Sequence, residues 1–313
     1  MRITVGVALL AVLSFQVLAG IQVTDDRGVK VAMTQPASRP VAISTFAADT
    51  LVALGVAPVA VTQFGEQDRP GYLGEAVSGA VSLGARGQPN LELLSELAPD
   101  TVLAVRRYTE TIAGRLDAIA PYVAFDDLTL SDSLKAVSDI GTLVGKSDQA
   151  ERLNQDFQQT LNEMAGQVGE RAGQRIALLV TASEQPFVYY DHFLPVELAT
   201  ALGLHNVAGA SPGWPGKLPF GFRMPLEQLL AADPDILVLF PSAQPRAFVK
   251  NPLWKHLKAV KNQRVYLVGQ HWKEGGGPIA RELILRQLGH LAYPDLFDAP
   301  ADLPADLALH SFR

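Results

Sequence analysis

The chain has 313 residues, 48% of them hydrophobic and 19% charged, with a formal net charge of −6. That suffices for one large domain or two lobes of about 130 residues each, and the mixed, scattered charges supply no basic track for nucleic acid. No cysteine occurs, which excludes disulfides, thiolate metal sites, a cysteine nucleophile and a lipid-bearing cysteine anchor.

Arg2 precedes an almost wholly apolar run from Ile3 to Leu18, and Val17-Leu18-Ala19 offers tolerated residues at the −3 and −1 positions. The pattern predicts a secretory signal over 1–19, cleaved after Ala19. An uncleaved anchor would need a longer apolar span and a basic flank, which Gly20-Ile21-Gln22 does not provide. An exported chain with no lipid suits the space between two bacterial membranes.

Short apolar runs then alternate with amphipathic stretches, as in α/β architectures. Strands are predicted at 39–43, 58–62, 101–105 and 122–125, and helices at 47–54, 91–97 and 109–119. Two longer helices follow at 131–144 and 147–168, with Ser147 as a suitable N-cap. In the second, Leu153, Phe157, Leu161, Met164 and Val168 form one apolar stripe. At 1.5 Å per residue this helix is about 33 Å long, a stiff rod in place of a Gly- or Ser-rich linker. Strands return at 175–180, 236–240 and 265–268, with helices at 196–202, 227–232 and 279–290.

The halves resemble each other. Leu91-Glu92, Leu94 and Pro99-Asp100 match Leu226-Glu227, Leu229 and Pro234-Asp235 at an offset of 135. Arg39 matches Arg175 at 136, and Ala53-Leu54-Gly55 recurs as Ala201-Leu202-Gly203. The pattern implies two similar α/β lobes, at 20–145 and 171–313, joined by one long rigid backbone helix at 146–170, with a ligand cleft between the lobes.

Several stretches carry a family resemblance. They are Arg39-Pro-Val-Ala-Ile-Ser, Leu51-Val-Ala-Leu-Gly-Val, Gly84-Ala-Arg-Gly-Gln-Pro-Asn-Leu-Glu-Leu-Leu with Pro99-Asp100, and Pro225-Leu-Glu-Gln-Leu-Leu with Pro234-Asp235. Asn251-Pro-Leu-Trp, Ala259-Val-Lys-Asn-Gln-Arg-Val-Tyr and Gly276-Gly277-Pro278 complete the set. Over residues 38–292 the chain resembles the helical-backbone (class III) periplasmic substrate-binding proteins of iron-siderophore, ferric citrate and vitamin B12 ABC importers. The resemblance implies capture of a ferric siderophore, of hydroxamate or mixed type, and delivery to an inner-membrane ABC permease dimer with its ATPase. Haem, cobalamin or a free transition metal remain open as cargo on the same fold.

The resemblance also implies roles for residues. Glu92 and Glu227, each early in a short helix, would project from the lobe tips and meet arginines of the importer. Arg86 would reach the oxygens around the iron, as a planar, permanently charged fork suits clustered chelate oxygens. Arg106, Arg107 and Tyr108 follow a strand end, where ligands bind in α/β folds, and Tyr108 falls near the family's ligand-contacting aromatic. The segment from Ser211 to Arg223, rich in Gly, Pro and aromatics, reads as an irregular loop displaying Trp214, Phe220, Phe222 and Arg223. Tyr189, Tyr190, Asp191 and His192, with His271 and Trp272, are expected to complete the wall.

Six histidines form no HxH or HxxxH pair, so no protein metal site and no cofactor is expected beyond iron inside the cargo. Hydrolase, P-loop and zincin motifs are missing, so no enzyme is expected. Gly275-Gly276-Gly277-Pro278 could cradle an anion but lacks the lysine of a phosphate loop. A monomer is expected.

Overall fold

The computed structural model describes residues 20–180, 183–213, 220–242 and 245–312. The expected signal segment and Trp214 lie outside them. The chain opens with a two-stranded antiparallel hairpin, β1 (Ile21–Thr24) and β2 (Lys30–Met33). There follow β3 (Pro40–Ile43), α1 (Thr45–Ala53), β4 (Ala60–Val61), β5 (Val81–Ser82), α2 (Leu91–Glu96) and β6 (Thr101–Val105). Then come α3 (Arg106–Thr109), α4 (Ala113–Asp117), β7 (Tyr122–Phe125), α5 (Leu130–Leu143) and α6 (Ser147–Val168). The second half contains β8 (Arg175–Val180), β9 (Phe187–Tyr189), α7 (Leu194–Ala201), β10 (His205–Asn206), β11 (Gly221–Arg223) and α8 (Leu226–Ala232). It ends with β12 (Ile236–Leu239), α9 (Lys258–Lys261), β13 (Val265–Leu267), α10 (Pro278–Ala292) and β14 (His310–Ser311).

The first sheet is fully parallel in the order β5-β4-β3-β6-β7. The second has the parallel run β10-β8-β12-β13, with β9, β11 and β14 added antiparallel. The order β4-β3-β6-β7 in one lobe is thus reproduced by β10-β8-β12-β13 in the other. Strands β3, β6, β7 and β12 of these parallel runs are buried on both faces, as helix-covered sheets require.

Helix α6 connects the sheets. Its first turns contribute Ala150 and Leu153 to the core of the first lobe, while Phe157, Leu161, Met164 and Val168 enter the core of the second. One apolar stripe is thereby shared between two cores. Ser147 is the first helical residue instead of the cap: Lys146 holds the N-cap position, with no side-chain cap bond.

Two further expectations of secondary structure change. The helix expected at 109–119 is broken into α3, a 3-10 turn over Glu110–Ile112 and α4. Thr109 is fully buried, and its hydroxyl donates back to the Val105 carbonyl at 3.1 Å and pairs with Tyr122 Oη at 2.6 Å, which competes with a continuous ladder. Within the 211–223 segment, Gly221–Arg223 is an edge strand, β11, paired with β9 in the register Phe222↔Val188. Gly221 permits it, because a Cβ there would overlap the Val188 carbonyl oxygen.

Candidate functional site

The carboxyl ends of the parallel strands in both sheets face the junction of the lobes. From the first lobe, β6 runs directly into Arg106, Arg107 and Tyr108, and the 82–90 loop brings Arg86 beside them. Arg86 donates to Tyr108 Oη at 3.1 Å, and its Cζ lies 4.1 Å from the ring centroid of Tyr108. Arg107 lies over the same ring at 4.7 Å and donates to the Asp126 carbonyl at 2.6 Å. These contacts hold both guanidiniums in place and bring together three residues predicted for the ligand site. Arg106 turns aside into an ion pair with Asp126 at 2.7 Å.

The second lobe supplies the opposite wall. Tyr190 stacks on Phe222 with centroids 5.1 Å apart and an interplanar angle of 24°, on the β9–β11 pair. Arg223 is exposed and donates to Ser183 Oγ at 2.7 Å. Tyr189 stacks on Phe193 at 4.1 Å, and burial raises its hydroxyl against the opposing pull of Arg107 of the other lobe. Asp191 is held by Asn206, and His192 sits 3.8 Å from Glu197.

Trp272 does not line the cleft. It is fully buried, edge-on to Phe240, and its indole N–H donates to Gln287 Oε1 at 2.7 Å. His271 is equally buried, shares that acceptor at 2.9 Å, and is pushed by burial down to about 4, which keeps it neutral. An amphipathic ring with a buried polar partner is core packing, and nothing local in the sequence separates it from an exposed ring.

Other groups stand at the junction unannounced by the sequence. Glu274 is buried and forms an ion pair with Arg86 across the lobes. Lys273 beside it is lowered by burial and by Arg86, with Arg246 adding to the effect, and forms no ion pair among the described residues. Arg246 donates to the Phe240 carbonyl at 2.6 Å and likewise lacks a described carboxylate partner. Four cations, Arg86, Arg107, Lys273 and Arg246, therefore gather where the lobes meet.

Beneath the cleft the lobes are fastened by carboxylates at helix ends. Glu274 of the second lobe accepts from the Thr45 N–H at the start of α1, at 2.8 Å. Asp49 of α1 accepts from Ile279 N–H at 2.9 Å and Ala280 N–H at 2.8 Å, at the start of α10, and from Tyr72 Oη at 2.9 Å. Glu197 of α7 accepts from Leu130 N–H at the start of α5, at 2.6 Å. Each carboxylate satisfies otherwise unpaired N–H groups where the helix dipole favours negative charge. Burial still lifts the Asp49 carboxyl to about 6.

The glycine run now has a partner. A Cβ at Gly277 would overlap the Asp49 carboxyl group, and one at Gly276 would overlap Asp127 Oδ1. The anion this turn accommodates is the protein's own. Asp127 is buried with both carboxyl oxygens unpartnered among the described residues, and burial raises it well above the usual carboxylate range against the opposing pull of Arg107. Two adjacent glycines ahead of a Pro at the first position of a helix were the available signal for such a close approach.

Glu92 and Glu227 are exposed in the first turns of α2 and α8. Asn90 caps α2 by accepting from Leu93 N–H at 3.0 Å, leaving Glu92 free to project. Among the described residues no group of three or more His, Cys, Asp and Glu side chains is placed to hold a metal ion, and no helix is long and apolar enough to cross a membrane.

Two matched α/β lobes, one spanning helix and a cationic, aromatic-walled cleft define a class of binding protein built around a helical backbone. The chain belongs to the periplasmic binding protein family, whose model matches residues 41–271. It is 27% identical over 285 residues to the Fe(3+) dicitrate-binding periplasmic protein FecB of Escherichia coli (strain K12), covering 88% of this chain and 91% of that protein. It is 26% identical over 249 residues to the Fe(3+)-citrate-binding protein YfmC of Bacillus subtilis (strain 168), covering 77% and 76%. The fold matches that of the triscatecholate siderophore binding protein FeuA from Bacillus subtilis complexed with Ferri-Bacillibactin, with a TM-score of 0.72 at 20% identity over 87% of this chain and 98% of that one.

Proposed function

We propose that this protein captures a ferric siderophore in the periplasm and hands it to an inner-membrane ABC importer. The observation that carries the reading is the gathering of Arg86 and Arg107 on Tyr108 with Lys273 and Arg246 close by at the lobe junction, together with the Tyr190–Phe222 stack of the second lobe. Guanidinium and ammonium groups complement the oxygen shell of an iron chelate, and flat rings pack on its organic frame. Of the hydroxamate and mixed types, the two cations without carboxylate partners favour a mixed chelate that brings its own carboxylate charge.

In this reading the iron travels as part of the cargo, no protein atom ligates it, and the chain performs no chemistry on it. Delivery runs through Glu92 and Glu227, one on each lobe, engaging basic groups on the permease dimer. The chain acts as a monomer, exported by cleavage of residues 1–19. The similarity to the ferric citrate binders supports this assignment.

Titration of the purified protein against ferric and iron-free siderophores, ferric citrate, haem, cobalamin and free divalent metals tests it. Selective submicromolar binding of ferric chelates is the expected result. Selective binding of haem, cobalamin or a bare metal ion overturns it.

A further inference from the structure

Glu274 differs from the other charged groups of the junction. Its side chain is 2% exposed, whereas that of its partner Arg86 is 31% exposed. One carboxylate oxygen faces the Arg86 guanidinium; the other accepts from Thr45 N–H at the head of α1. The ion pair on one oxygen and the backbone hydrogen bond on the other fix the carboxylate in place. A ligand reaching Arg86 therefore meets an immobile negative charge immediately behind it.

We propose that Glu274 is a specificity-determining residue that sets the charge of the chelate the cleft accepts, acting through Arg86; this rests on the ferric-chelate reading above. With Glu274 in place, Arg86 contributes donors but little net charge, and the attraction for anionic cargo comes from Lys273, Arg246 and Arg107. Removing the negative charge while keeping the acceptor frees the full charge of Arg86. Affinity then rises with the negative charge of the ligand.

The test compares wild type, Glu274→Gln, Arg86→Gln and the double variant by calorimetric titration with two probes. Ferric dicitrate is anionic; ferric desferrioxamine is a trihydroxamate complex with a pendant ammonium. Glu274→Gln retains an amide oxygen for Thr45 N–H and should raise the preference for ferric dicitrate over ferric desferrioxamine by about tenfold. Arg86→Gln, at a half-exposed loop position, exposes the Glu274 charge and should move the preference the opposite way by a similar factor. In the Arg86→Gln background, Glu274→Gln should move the preference less than it does alone, because part of its effect is the release of Arg86. Equal shifts for both probes, or a full-size shift in that background, overturn the assignment of Glu274. Failure of the wild type to bind any ferric chelate instead brings down the ferric-chelate reading, and the assignment with it.

Discussion

Asp100 and Asp235 make the same contact in the two halves of the molecule. Asp100 Oδ2 accepts from the backbone N–H of Arg39 at 2.8 Å, and Asp235 Oδ2 accepts from that of Arg175 at 2.8 Å. Each aspartate follows the helix preceding the second central strand and ties that turn to the start of the first. Each also returns the bond through its own backbone, Asp100 N–H to the Arg39 carbonyl at 3.3 Å and Asp235 N–H to the Arg175 carbonyl at 2.8 Å. The Pro-Asp repeat in the sequence is this turn made twice.

Because the two contacts share no partner, their loss should be additive. Asp100→Ala and Asp235→Ala are each expected to cost about 1–3 kcal/mol, and the double variant the sum to within about 0.5 kcal/mol. Urea denaturation of the four species measures this.

Asp49 carries a heavier load, since it serves two backbone N–H groups and the Tyr72 hydroxyl. Asp49→Ala strands these donors at a buried junction and is expected to cost about 3 kcal/mol or more. The pH dependence has a defined sign. With its carboxyl raised from 3.8 to about 6, the folded state binds the proton more tightly than the unfolded chain. This contribution is fully present below pH 3.8 and is lost as pH rises through about 6. Asp49→Asn should flatten the stability profile across that window, as read by thermal melts at a series of pH values.

Trp272 is expected to be silent toward ligand. Trp272→Phe removes the indole donor to Gln287 and should lower stability by about 1–3 kcal/mol while leaving ligand affinity unchanged. The ligand-dependent fluorescence change should persist in that variant and disappear in Trp214→Phe. Fluorescence titration of the two variants separates the roles of these tryptophans.

Glu92→Ala with Glu227→Ala should abolish uptake by cells and leave the ligand Kd within about twofold of wild type, as both side chains are exposed in the first turns of α2 and α8. Transport of radiolabelled iron chelate, alongside titration of the purified double variant, checks both halves of the expectation.

What the sequence reveals and conceals here follows from range. Strands such as Thr101–Val105 and Tyr122–Phe125, and the helix at Ser147–Val168, are written in local periodicity and are found where periodicity puts them. The matched lobes are legible because the same turn chemistry recurs at Asp100 and Asp235. Arg107 and Tyr108 can be located because they follow a strand end, and Arg86 because it sits in the motif that carries the family resemblance. The Thr45–Glu274 bond spans 229 positions, and nothing near Glu274 distinguishes it from a surface carboxylate. Trp272 departs from expectation for the opposite reason: its neighbourhood in sequence resembles a cleft loop, while its burial depends on Gln287 and Phe240. The short strand at Gly221–Arg223 exists only because β9 is beside it.

Asp49 of α1 bonds to the head of α10, and Glu274, just before α10, bonds to the head of α1, so each half completes a helix belonging to the other. Cut apart, either fragment would present a bare row of amide protons on its driest face. Exchanging halves with a related protein would therefore transplant more than a pocket wall. A chimera would fold well only if the incoming half brought a carboxylate to the right helix end, with glycines opposite to admit it.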